Sequence, residues 1–155
     1  MNNSNTRRIR NIIIVLLFVT GGLLLVLAIA ADDLGLDITP GFGVIQMVAF
    51  MGGLTFLTLG AFLFLNGRRP KDAPRSLQAE ISTRLIATGL VLSYVTGLSD
   101  LIGIGTHIEP SFNRPFVGPL QLGGIIIGIL LILIGLILYN TSRGQRESSS
   151  LGFLV

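Results

Sequence analysis

The chain has no cysteine, no tryptophan and a single histidine, and charged residues fill only 12% of its 155 positions. Each shortage excludes something. Without cysteine there is no disulfide, no thiolate metal site and no cysteine nucleophile. One histidine, His107, cannot build the convergent ligand sets that zinc requires, and Glu109 two residues away does not complete one. Soluble domains carry charge at about a quarter of their positions. At 12%, the apolar half of this composition would surface in water as aggregation-prone patches. The missing tryptophan leaves Tyr94, Tyr139 and the phenylalanines to supply interfacial aromatics.

What the chain does have is four long apolar stretches: Ile12–Ala31, Gly43–Leu65, Leu85–Ile104 and Val117–Tyr139. At ~1.5 Å rise per residue, about 20 residues cross a hydrocarbon core of ~30 Å. Backbone groups cannot remain unpaired in lipid, so each stretch is expected to be helical. The many Ile and Val residues do not argue for strands, because the runs are far longer than strands. The fold class expected is an all-α membrane protein: one domain over residues 1–155, with four transmembrane helices.

Basic residues fix the expected orientation. Arg7, Arg8 and Arg10 precede the first stretch; Arg68, Arg69, Lys71, Arg75 and Arg84 lie between the second and third; Arg143 and Arg146 follow the fourth. The other two connections hold only Arg114. Cytoplasmic segments are the Lys/Arg-rich ones, which places both termini and the middle loop in the cytoplasm. These basic residues are too few and too scattered for a nucleic-acid groove. Membrane lipids are the expected partners instead, with Arg68, Arg69, Lys71 and Arg75 as candidate contacts for anionic headgroups at ~1 kcal/mol each. The N-terminal arginines, the apolar run and Ala28-Ile29-Ala30 also resemble a cleaved signal peptide. That run exceeds the ~7–15 residues of a signal h-region, which favours a membrane span.

The halves 12–65 and 80–139 look like a duplicated hairpin. Gly22 and Asp33 match Gly89 and Asp100 at an offset of 67 (89 − 22); Gln46, Gly53 and Gly60 match Gln121, Gly128 and Gly135 at 75 (121 − 46). With 20 glycines in the chain, chance matching is the competing explanation. Residues seven apart share one helix face, and glycine lets backbones approach where packing must hold helices together. Gly53, Gly60, Gly128 and Gly135, with Gly124 one turn before Gly128, therefore form a candidate helix-packing seam. A substrate path along the same faces is the other use of such a stripe.

An ionisable residue inside a span is a functional candidate by default. Three of the four stretches contain none, and Asp100 lies near the outer end of the third. A proton-coupled transporter that needs a carboxylate deep in its first helix is thereby excluded. Glu80 and Arg84 stand four apart, the spacing of a helical ion pair. The remaining candidate site is an outer polar rim of Asp33, Gln46, Asp100 and Gln121, with His107, Glu109 and Arg114 in the loop above. The same residues would serve equally as helix caps and interhelical hydrogen bonds. No catalytic residue, cofactor or metal is expected. The function expected is that of a non-enzymatic accessory subunit associating with other membrane subunits, or of a self-associating scaffold. A small oligomeric channel or transporter is the alternative.

The cysteine-free background makes the orientation directly measurable. In intact cells, an impermeant maleimide should label Thr106→Cys, whereas Asp72→Cys should react only after permeabilisation. The reverse pattern would invert the topology.

Overall fold

A computed structural model of the chain describes residues 3–31, 34–35, 43–68, 76–99 and 118–142. Within them lie four helices: α1 (Asn3–Ala30), α2 (Val44–Gly67), α3 (Leu77–Gly97) and α4 (Pro119–Thr141). Three of these, α1 from Asn5 together with α2 and α4, are long and apolar enough to cross a membrane.

The helix ends follow from local chemistry. The Gln46 side-chain oxygen accepts the Gly43 N–H at 2.6 Å, and Gln121 accepts the Gly118 N–H at 2.7 Å, so α2 and α4 start in the same way. Glycine has no side chain to return the bond, so each is one arm of a capping box. Pro119 opens α4, where its missing N–H costs nothing. Helix α3 begins at Leu77, not at the expected Leu85, because Ser76 caps the Ala79 N–H and Glu80 sits in the first turn. It ends at Gly97, not at Ile104, with Leu98 as its C-cap. The Ser99 hydroxyl donates to the Thr96 carbonyl at 2.9 Å in that last turn. Hydropathy alone misplaced this helix because its first two turns, with Gln78, Glu80, Ser82 and Arg84, are polar.

Consecutive helices run antiparallel in two tight hairpins, α1–α2 and α3–α4. In the first, a Cβ on Gly53 would stand 2.9 Å from the Gly21 carbonyl oxygen, and one on Gly21 would stand 3.0 Å from the Gly53 oxygen. In the second, a Cβ on Gly89 would stand 2.5 Å from the Gly128 oxygen, and one on Gly128 would stand 2.7 Å from the Gly89 oxygen. Below the crossings, Gly60 lies against Phe18 and Gly135 against Ile86. The two hairpins thus share one contact scheme, with partners offset by 68 on the first helices (89 − 21) and by 75 on the second (128 − 53). Gly22, matched to Gly89 in the sequence, lies off the crossing. That residue has nothing within 4 Å of an added Cβ, and Gly21 occupies the crossing instead.

Helix α2 joins the hairpins. Gly53 and Gly60 face α1, while Met47, Met51 and Leu54 are buried on the opposite side. Met47 and Met51 pack with Ile125, and Leu54 packs with Ile86 and Ile132. The buried residues of α4 run Gln121, Ile125, Gly128, Ile132, Gly135, Tyr139. That alternation of four and three is the spacing of left-handed helix packing. Helices α2, α3 and α4 therefore form a triangle, and α1 is attached to it mainly through α2.

The glycines should separate by position. Gly128→Ala should destabilise the protein by about 1–3 kcal/mol through overpacking, read from unfolding titrations in mixed micelles. Gly123→Ala, where an added Cβ meets nothing within 4 Å, should change stability by no more than about 0.5 kcal/mol.

Candidate functional site

Most hydroxyls in the helix interfaces are occupied by their own backbone. Ser82 and Ser93, both with no exposed surface, donate to the carbonyls of Gln78 at 2.6 Å and Gly89 at 2.9 Å. Thr58 and Thr83 donate to Leu54 and Ala79 at 2.7 and 2.9 Å. Satisfying a hydroxyl one turn back leaves its methyl or methylene to face the neighbouring helix.

Two tyrosines tie α2 to the second hairpin. Tyr94 of α3 meets the Thr55 hydroxyl at 2.8 Å, and Thr55 in turn donates to the Met51 carbonyl at 2.8 Å. Tyr139 of α4, buried to 3% exposure, donates to the Asn66 side-chain oxygen at 2.9 Å. Its ring packs on Phe62 with centroids 5.2 Å apart. Each tyrosine spends an apolar ring on packing and a hydroxyl on a specific partner.

Asn66 and Tyr139 lie at the end of the bundle where α1 and α3 start and α2 and α4 finish. This end is basic. Arg10 lies against Gly67, with its guanidinium carbon 2.8 Å from where a Cβ would be. Arg68 caps α2 and stacks on Phe64 at 4.2 Å. Cations at the C-terminus of α2 complement its dipole. Arg84 donates to Glu80 at 2.7 Å, the ion pair expected from their spacing.

Between α2 and α3 a groove opens to the outside of the bundle. Its mouth, a cavity of about 290 Å³, is lined by Asn66, Tyr139, Glu80, Thr83 and Arg84 over a floor of Phe62 and Ala79. An adjoining trough of about 210 Å³ shares Phe62 and Thr83 and continues along Thr55, Thr58, Leu59, Ile86, Ala87 and Leu90. The trough is apolar despite three threonines, because their hydroxyls are turned onto carbonyls. The Thr55–Tyr94 bond stands at its far end. Sequence reading did not single out this groove; its one legible element was the Glu80–Arg84 spacing.

Gly53 and Gly128 sit in the hairpin crossings, Gly60 and Gly135 lie below them against Phe18 and Ile86, and Gly124 lies against Thr96. Gln46 and Gln121, each 7% exposed, are helix-capping residues. Gln121 also donates to the Ser99 hydroxyl at 2.8 Å, linking α4 to the end of α3. Asp33, Asp100, His107, Glu109 and Arg114 of the outer rim, and Arg69, Lys71 and Arg75 of the middle loop, lie outside the described residues. Among the described residues no cluster of His, Cys, Asp and Glu could hold a metal ion. Compared with protein families, curated proteins and solved structures, the chain matches none.

The Asn66–Tyr139 bond should be measurable as a coupling. In a double-mutant cycle of Asn66→Ala and Tyr139→Phe, the interaction energy should be about 0.6 kcal/mol, the usual size for hydrogen bonds between membrane helices. Additive effects would mean that the bond contributes nothing.

Proposed function

We propose that the chain is a non-enzymatic, four-span integral membrane protein that works by lateral association, as an accessory subunit of a larger membrane complex or as a self-associating scaffold. In this reading α3 is the fourth span, and both termini and the middle loop are cytoplasmic. The two hairpins are tandem copies related by an axis along the membrane normal. Their common contact scheme, at fixed offsets on each helix pair, supports the duplication.

The observation that carries the reading is the position of α1. It packs mainly on α2, and the rest of its surface presents Val15, Val19, Leu23, Val26 and Ile29. Small residues hold α1 in its hairpin, while its outward faces are left for lipid or another helix. The alternative, a pore through the single chain, finds less support. Met47, Met51 and Ile125 fill the space between the hairpins, and the buried serines are bound to their own helices.

Purification in mild detergent should yield either a defined oligomer or a fixed stoichiometry with other membrane subunits. Val19→Trp combined with Leu23→Trp, on the exposed face of α1, should abolish that association while helicity stays unchanged. A strictly monomeric, unaccompanied chain would sink the proposal. So would ion or solute flux in liposomes containing the chain alone, abolished by Asp100→Asn.

A further inference from the structure

We propose that the α2–α3 groove is a phospholipid site, with one acyl chain in the trough and the phosphate at the mouth beside Arg84. The inference rests on the transmembrane reading, with the basic end of the bundle at the cytoplasmic leaflet.

Three features fit this occupant. The first is the gradient of polarity along a single groove. Asn66, Tyr139, Glu80 and Arg84 cluster at one end, and the surface beyond Phe62 and Thr83 is aliphatic apart from Thr55 and Thr58, whose hydroxyls are turned onto their own backbone. An amphiphile has that gradient; a purely apolar ligand does not.

The second is length. From Thr55 to Phe62 is seven residues, about 10 Å along α2, which fits inside the ~15 Å apolar half-thickness of one leaflet. The Thr55–Tyr94 bond stands at the deep end, so the trough lies within one leaflet. A helix with its side chains is ~10–12 Å across, too thick for a trough of about 210 Å³, whereas an extended hydrocarbon chain can lie along it.

The third is charge. Arg84 is 78% exposed and bound to Glu80 through one nitrogen, and a guanidinium carries five N–H donors. Arg68 lies at the same end, at the close of α2. A phosphate diester at the mouth would meet a basic rim whose only described carboxylate, Glu80, already faces Arg84.

The test uses the full chain in bilayers of phosphatidylcholine and phosphatidylglycerol containing a phospholipid with a photoreactive group on one acyl chain. Adducts would be mapped by mass spectrometry. They should concentrate on Leu59, Phe62, Ala87 and Leu90, in excess over Val19 and Leu23 of α1, although those two are more exposed than Leu59 and the half-buried Phe62 and Leu90. Ala87 is exposed and lines the trough, so Ala87→Trp should fill the groove without repacking the bundle and remove the excess. Arg84→Gln should weaken occupancy about fivefold, the equivalent of ~1 kcal/mol for one basic residue near a headgroup. Glu80→Gln should preserve or raise it. Uniform labelling of every exposed apolar face, or an excess unmoved by Ala87→Trp, would overturn the site and identify ordinary boundary lipid. Chain-to-chain crosslinks from a photoreactive side chain at position 87 would overturn it in favour of a protein occupant. Adducts on α1, α2 and α4 but nowhere on α3 would overturn it together with the reading of α3 as a span. Loss of lateral association in detergent, by contrast, would leave the lipid result standing.

Discussion

Backbone-to-backbone contact at two glycine crossings is the constraint on which the rest of the bundle depends. In lipid, burying apolar side chains gains little, since the tails are as apolar as leucine, so helices are held by close packing and hydrogen bonds. Gly21 against Gly53 and Gly89 against Gly128 bring the paired main chains closer than any side chain would permit. Once those crossings are set, Phe18 falls against Gly60 and Ile86 against Gly135. The outward surfaces are left to branched aliphatic residues.

The consequences reach the groove. Because Gly53 and Gly60 commit one side of α2 to α1, the opposite side carries Met47, Met51 and Leu54 into the second hairpin. Thr55, Leu59 and Phe62 fall between those two faces and border the opening towards α3. The groove is thus the remainder of a helix shared between two neighbours. Its shape is stabilised by polar ties, Thr55–Tyr94 at one end and Asn66–Tyr139 at the other.

Hydropathy located α2 and α4 to within a few residues, because these helices are apolar from end to end and open on a Gly–Gln cap. It failed on α3, whose first turns are amphipathic and whose start is set by Ser76. The glycines spaced by seven lie on the sides of α2 and α4 that meet α1 and α3. The choice between Gly21 and Gly22 was beyond that spacing, since adjacent glycines look alike until a partner helix selects one. The groove was least legible of all. It depends on threonine hydroxyls turning onto carbonyls one turn back, a rotamer choice that residue identity does not reveal.

The antiparallel pairing of consecutive helices also bears on how the protein is made. Each glycine crossing joins segments that leave the ribosome one after the other, so a hairpin can close before the next begins to emerge. Local pairings of this kind form quickly, because little chain entropy is lost in closing them. The ties from α2 to Tyr94 and Tyr139 span 39 and 73 residues of sequence. They must wait for the later segments, so the order of synthesis is also an order of assembly, with α2 the surface on which the second half docks.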